Sequence, residues 1–517
     1  MKPKVYLLVI LVFFLLGLVF KFFLVNSPYL DPYHLSHISL AKTTIEQAYI
    51  AFFPYENDSS LLEYQINLVS DRIGTTIELS FLKILIGLDY NLLIYFPIGI
   101  LIFLVSGLYL IESVTSKMPL IFLFLSFLIL EPTLSAQTYS TNTHMWAFSL
   151  FFILLGYLFR LSKKDEITLK EILITLFLII LVDLFYYTAG FVAFFTGILF
   201  FSFYFFSKRT NFKERIVITA INYCLIGLYI LLDPLVRNKV LNQFFYFGST
   251  TQEIIIKIYL YLINFWVSEQ EGLYFFQGYY NAFSGIVSLI IYIILLVIVF
   301  LFIHHMFKSK TKTLTDLLLF SLFVASIIQF VIYFYFNQMV FYFFLISSIL
   351  TLIYFINSFK MEFVIDLFLL IFLFLIILKF LLSPINTISL SNYHEQYDSG
   401  AMWLSSKVNN QTIIGDIFFI EKANLLNDNN QYYGYFFISP SYNNILGIDD
   451  NNSIDQYLEK NPFDYYVLSN FNQEEYTPNA LSTAPIIPFE NSSLLFEEQK
   501  DLNQVYDSKY ISIFFRE

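Results

Sequence analysis

Residues 1–42 read MKPKVYLLVILVFFLLGLVFKFFLVNSPYLDPYHLSHISLAK: a basic start, a long apolar run, then a polar stretch carrying Asp31, His34 and His37. An apolar run of about 20 residues matches the thickness of a bilayer core and reads as a spanning helix. It is too long for a cleaved leader and lacks a small-x-small site after it, so it is expected to stay as a signal anchor. The whole chain has the same character. Of its 517 residues 57% are hydrophobic and only 13% charged, with 63 Phe and 39 Tyr, which excludes an ordinary soluble domain and indicates a polytopic membrane protein. Its single cysteine, Cys224, has no partner for a disulfide.

Lipid offers no hydrogen bonds to the backbone, so each long apolar run is expected to cross as a helix. Eleven such runs are expected, at 5–25, 92–112, 118–134, 144–160, 169–187, 189–206, 216–233, 284–305, 315–333, 335–356 and 363–383. Lysine and arginine in the short connections fix the orientation. With the N-terminus inside, the cytoplasmic segments hold fifteen basic residues, among them Lys117, the RLSKKDEITLK loop (160–170) and Lys308, Lys310 and Lys312. The opposite side holds six before residue 384: Lys42, Arg72, Lys83, Arg237, Lys239 and Lys257. The sequence therefore predicts a multi-pass protein of the cell membrane, N-in and C-out, with a transmembrane domain over 1–383. Long external loops fall at 26–91 and 234–283, the first with room for amphipathic helices near 33–50 and 60–86. The four N-x-S/T sequons, at Asn57, Asn410, Asn451 and Asn491, all fall outside as well.

Residues 384–517 carry eighteen acidic against six basic side chains, a net of −12, while the rest of the chain nets +1. AMWLSSKV (401–408) and IEKANLL (420–426) have helical patterning. QTIIGDIFFI (411–420) contains a strand, and YYGYFFIS, DYYVLSN and KYISIFFRE read as further strands. A small extracytoplasmic α/β domain is expected, and its acidity excludes nucleic acid as a partner.

Ionisable groups at a membrane boundary are costly unless solvated, paired or used. Asp31 with Pro32 suits a helix N-cap. His34 and His37, one turn apart, suit either a metal or phosphate site or an interfacial stripe. Glu131 closes a span in LILEPTLSAQ, Asp183 sits near a span end in LVDLFYYTAG, and Glu269 and Glu271 lie in INFWVSEQEGLYFF. The predicted topology brings Asp31, Glu131, Asp183 and Glu269 to one membrane face, as a pocket requires. On that face Arg72, Arg237 and Lys239 are placed to bind a phosphate or to snorkel. No GxxxxGK[ST], HExxH, CxxC or GxSxG motif occurs, which leaves nucleotide-driven pumping and serine or cysteine hydrolysis unsupported.

A signal-anchor span, a long first external loop with an acidic motif, about ten further spans and an external tail together resemble the GT-C superfamily of integral-membrane glycosyltransferases. LDPYHL resembles the D-E-x-H motif of protein O-mannosyltransferases and the D-P-Y stretch of archaeal oligosaccharyltransferase subunits, although Pro32 stands where the first motif has glutamate. FLKILIGLDYNLLIYFPIGILIFLVSGLYLI (81–111), AMWLSSKVNNQTIIGD and NQVYDSKYISIFFRE are similar to the family's second span and tails. The resemblance implies sugar transfer from a polyprenyl-phosphate-linked donor to a glycan, lipid or protein acceptor on the outer face. Asp31 would be catalytic base or ligand of a divalent metal (Mg or Mn), backed by Glu131 and Asp183. His34, Arg72, Arg237 and Glu269 would bind substrate. No WWDYG-type motif is present, so oligosaccharyltransferase activity itself is not expected. The other reading compatible with this scaffold is a non-catalytic envelope protein or a lipid-linked glycan transporter.

Overall fold

The apolar runs form helices whose ends the local sequence explains. The computed structural model describes residues 3–19, 73–87, 98–131, 143–164, 166–207, 282–308, 312–335, 342–358, 369–378, 391–427, 429–435, 463–469, 501–508 and 511–516, with a few isolated positions. Ten helices are labelled before residue 369: α1 Pro3–Val19, α2 Ile73–Ile86, α3 Ile98–Val114, α4 Met118–Leu130, α5 Thr143–Leu161, α6 Leu169–Phe185, α7 Tyr187–Ser207, α8 Ala282–Lys308, α9 Leu314–Tyr335 and α10 Tyr342–Ser358. A further apolar helical stretch covers Leu369–Leu378.

Two helices open on the same device. In TLKE the Thr168 N–H and hydroxyl donate to the Glu171 carboxylate at 2.6 and 3.0 Å. In TLTD the Thr313 N–H and hydroxyl both reach Asp316 Oδ2 at 2.8 Å, and the Asp316 N–H donates back to Thr313 Oγ1 at 3.1 Å. These boxes satisfy donors that a helix start leaves open, and they start α6 and α9. At the other end of a span, α4 stops because Pro132 disfavours helical backbone in the residue before it. Glu131 accordingly turns extended, at φ −71° and ψ 116°.

The helices pack as an antiparallel bundle around one continuous core running from Val9 to Ile376. Phenylalanine dominates it: Phe103 packs on Phe152 at 5.3 Å between ring centroids, and Phe343 meets Phe148 at 5.5 Å and Phe151 at 5.4 Å. Buried hydroxyls bond within their own helix, as an apolar surrounding demands. Ser149 donates to Met145 O, Thr196 to Val192 O and Thr351 to Ser347 O, each at 2.7 Å. Outward, α1 exposes Leu7, Leu8, Leu11, Val12 and Leu15, and α8 exposes Ile293, Leu296, Phe300 and Phe307. Apolar faces of this extent suit hydrocarbon rather than water.

Two described stretches are long and apolar enough to cross a membrane, Thr188–Phe205 and Ile290–Lys308, and the rest are shorter apolar helices. The expected span at 216–233 lies outside the described residues except for isolated helical positions, and so does the expected start of the tenth span before Tyr342. The expected helix at 60–86 is described from Ile73 onward, as α2.

One end of the bundle is tied by polar contacts between helix ends. Thr115 donates to Asn357 Oδ1 at 3.1 Å, Ser162 and Thr315 share a hydrogen bond at 3.0 Å, and the Tyr354 hydroxyl donates to Asp316 Oδ1 at 2.8 Å. Lys117, Arg160, Lys163, Lys164, Lys308 and Lys312 all belong to helix ends or turns on this side. Among the described residues, the ends of α3, α5 and α8 and the starts of α4, α6 and α9 carry these basic side chains.

The tail combines α11 Ser391–Lys407 and α12 Ile417–Leu426 with five strands: β1 Thr412–Asp416, β2 Gln431–Tyr435, β3 Tyr465–Ser469, β4 Leu502–Asp507 and β5 Ile511–Arg516. Their order is β2-β1-β3-β5-β4, with β1 parallel to β2 and β3, and β5 antiparallel to β3 and β4. Leu404 of α11 and Phe419, Ile420 and Ala423 of α12 are buried, as are Ile413, Val467 and Ile513 of the sheet. Asparagines close the polar edge. Asn427 Nδ2 donates to Ser405 O at 2.9 Å and Val408 O at 3.1 Å, and Asn430 Nδ2 to Val408 O at 3.0 Å, which satisfies carbonyls at the end of α11.

One tail residue carries a pH signature. Burial of Lys422 in α12 brings its ammonium down from the usual 10.5 to about 8. Between those values the unfolded chain binds more protons than the folded one, so stability rises with pH from about 8 to about 10.5. Below that window the ammonium is charged in both states and the burial opposes folding in full. Lys422→Met is expected to raise the unfolding midpoint of the tail at pH 7 and to flatten its rise towards pH 10, measured by thermal unfolding of the full chain.

Candidate active site

Two of the predicted acidic residues, Glu131 and Asp183, belong to helix ends away from the lysines. Close helix approach marks these ends out. A Cβ on Gly99, in the first turn of α3, would lie 1.8 Å from Met145 Cε, so the starts of α3 and α5 touch. Gly17, near the end of α1, faces Ile100 at 3.1 Å and Ile129 at 3.7 Å, which brings in the end of α4. Trp146 of α5 stacks on Phe185 at the end of α6, with centroids 6.2 Å apart. The Tyr186 and Tyr342 hydroxyls share a hydrogen bond at 3.1 Å, which adds the start of α10.

Glu131 and Asp183 both lie at this end. Glu131 is the residue after α4, its N–H bonded to Phe127 O at 3.0 Å and its surface only 1% exposed. A carboxylate so deeply placed at a helix end is a functional candidate on physical grounds. Asp183 lies in the last turn of α6 and is half-buried. Its position depends on Gly190. α6 and α7 are joined by Tyr186 alone, in extended conformation at φ −160° and ψ 107°, so the two helices fold back almost at once. A Cβ at residue 190 would sit 2.2 Å from Asp183 Oδ1 and 2.7 Å from its Cα. Only glycine permits this approach, and it fixes where the Asp183 carboxylate stands.

The remaining predicted site residues, Asp31, His34, Arg72, Arg237 and Glu269, lie outside the described residues. The predicted metal ligand, Asp31, is one of them. Among the described residues no group of three or more His, Cys, Asp or Glu is arranged to hold a metal ion.

Sequence reasoning missed four participants in this end of the bundle: Trp146, Tyr186, Gly190 and Tyr342. Two were in plain view, since LVDLFYYTAG holds Asp183, Tyr186 and Gly190 together, but contact between helices leaves no mark in local periodicity. It also missed Gln329 of α9. This residue continues the fully buried stripe Leu318, Leu322 and Ala325, and among the described residues neither its amide oxygen nor its amide nitrogen has a hydrogen-bond partner. It lies one turn beyond Ser326, whose hydroxyl reaches Phe343 O at 3.3 Å, and so near the level of Tyr342. The signal was a lone amide in the apolar run SLFVASIIQFVIYF.

No protein-family model matches the chain, and no curated protein sequence matches it. Solved structures do. The oligosaccharyltransferase of Archaeoglobus fulgidus tethered to an acceptor peptide with the NVT sequon matches with a TM-score of 0.54 at 13% identity, over 91% of this chain and 70% of that one. The same archaeal protein, AglB, in complex with an inhibitory peptide and a dolichol-phosphate gives 0.53 at 13% identity over the same shares. Its complex with Zn and sulfate gives 0.53 at 13% identity, over 90% of this chain and 68% of that one.

Proposed function

This chain has the fold of the GT-C integral-membrane glycosyltransferases, and from that premise we propose that it transfers a sugar from a polyprenyl-phosphate-linked donor to an acceptor at the end of the bundle that carries Glu131 and Asp183. The observation that carries the reading is the pair of acidic residues that close α4 and α6 at that end, on a fold whose archaeal example was solved with a dolichol-phosphate. In this account the bundle is embedded in the cell membrane with multiple passes, and this end and the acidic tail are extracytoplasmic.

The reaction has two demands. The acceptor group attacks the anomeric carbon and loses its proton, and the lipid phosphate leaves with the electron pair of the broken C–O bond. Asp31 takes the proton as general base, in the segment that follows α1, with Glu131 and Asp183 orienting it and the acceptor. Arg72 and Arg237 hold the departing phosphate, as guanidinium groups do in bidentate fashion, and His34 and Glu269 contact the substrates. In the alternative role that the resemblance gives it, Asp31 would instead be a ligand of a divalent cation, which would supply further neutralisation of the phosphate when bound. The acceptor is a hydroxyl of a glycan, lipid or protein.

The experiment is transfer of a radiolabelled sugar from polyprenyl phosphate by the purified protein in liposomes, in the wild type and in Asp31→Ala. Transfer by the first and loss in the second is expected. Donor left intact by both would favour a transporter or a non-catalytic envelope protein.

A further inference from the structure

The opposite end of the bundle holds a seam between α3 and α5 that the proposed chemistry does not use. On α3 the residues Leu101, Val105, Tyr109 and Ser113 follow one another four apart, and Lys117 continues the spacing into the turn before α4. On α5 the facing residues are Gly156, Arg160 and Lys163. A Cβ on Gly156 would lie 2.6 Å from Tyr109 Cδ1 and Cε1, so the tyrosine ring is seated directly against the α5 backbone. The Arg160 guanidinium lies over that ring, 4.2 Å from its centroid. Lys163 Nζ donates to Ser113 O at 2.5 Å, and Lys117 Nζ to Asn357 O at 3.5 Å.

Arg160, Lys163 and Lys117 are all exposed. Among the described residues none of the three is bonded to a carboxylate, whereas the neighbouring Lys164 is paired with Glu171. Among the described residues each lysine uses one donor, on a carbonyl near a helix end. Glu112 stands next to Ser113; among the described residues one of its buried carboxylate oxygens has no hydrogen-bond partner and no salt bridge joins it to the three cations. Towards the middle of the bundle the next residue at this spacing on α3 is apolar and exposed, Val105, 46% accessible.

An apolar strip that ends in three cations over an aromatic ring is complementary to an amphiphile with an anionic head. We propose that this seam binds an anionic phospholipid of the leaflet on the N-terminal side, its phosphate between Arg160, Lys163 and Lys117 and an acyl chain along Tyr109 and Val105. The inference rests on the bundle being embedded in a membrane and is independent of the chemistry at the other end. Sugar transfer can fail while this site stands, and the reverse.

The test uses the full-length protein in detergent, titrated with phosphatidylglycerol or with phosphatidylcholine of the same chains. Binding is read by native mass spectrometry and by the shift of the thermal midpoint. Phosphatidylglycerol is expected to remain bound and raise the midpoint, with an affinity at least about tenfold above phosphatidylcholine and falling as salt rises. The double variant Arg160→Gln, Lys163→Gln is expected to lose that preference, while Lys407→Gln in the tail keeps it. Should the double variant unfold, Lys117→Gln, whose side chain touches only one carbonyl, is expected to weaken phosphatidylglycerol binding several-fold. Equal binding of the two lipids, wild-type preference in the variants, or the same midpoint shift with inorganic phosphate alone would overturn the proposal.

Discussion

Replacing Asp31 by alanine is expected to lower sugar transfer by at least about 100-fold, since a positioned general base contributes roughly 10²–10⁴. Two roles for this residue follow from LDPYHL, and they separate experimentally. As an N-cap with Pro32 in the first helical position, Asp31 would contribute about 1 kcal/mol of local stability, and asparagine would cap nearly as well. As a base it cannot be replaced by asparagine, which has no lone pair of comparable basicity. Asp31→Asn is therefore the sharper variant: transfer lost with the thermal midpoint unchanged means a base, and transfer kept means a cap. The donor KM should move little in either variant, because the phosphate is held by Arg72 and Arg237 in this account.

The second large effect is structural and centres on Gly190. Even the single methyl of Gly190→Ala would meet Asp183 at 2.2 Å from Oδ1 and 2.7 Å from Cα. The first contact can be relieved by rotating a side chain, but the second is with backbone, so α6 and α7 must separate. Overpacking of this kind costs about 1–3 kcal/mol, and it displaces the carboxylate that the close approach positions. Gly190→Ala is expected to lower both the thermal midpoint and transfer. Gly227→Ala is the control: its nearest neighbour is Phe194 Cζ at 4.0 Å, ordinary contact, and it should leave both unchanged. A Gly190→Ala protein with wild-type midpoint and transfer would show that Asp183 is not placed by this contact.

Much of the helical frame was legible because hydrocarbon imposes simple rules. Runs at 118–134, 144–160, 169–187 and 189–206 became α4 to α7, and Glu131 in LEPT marked where α4 stops. The basic side of the bundle was legible for the same reason, since lysines and arginines gather at one set of helix ends. In the tail, β1, β2, β3 and β5 followed their β-branched and aromatic runs. β4 was not seen as a separate strand: LNQVYD is an edge strand exposed along most of its length, with no alternation to reveal it. What local pattern could not show is distance between helices. Gly190 beside Asp183, Gly156 beneath Tyr109 and Gly99 against Met145 each depend on a partner far away in sequence or across a turn. Lys163 reads as a loop charge in the sequence, and only the packed helices reveal it bonded to Ser113 O. Of the candidate site, Glu131 and Asp183 are described at one bundle end, while Asp31, His34, Arg72, Arg237 and Glu269 remain proposals from the sequence.

The claim at the centre of this account is that the sugar donor is lipid-linked. The most direct measurement offers the purified protein, reconstituted in liposomes with native membrane extract as acceptor, the same labelled sugar either on polyprenyl phosphate or on a nucleotide. Label is predicted to reach acceptor only from the polyprenyl phosphate, with matching release of free lipid phosphate. Transfer from the nucleotide sugar, or an intact lipid donor after prolonged incubation with folded protein, would contradict it.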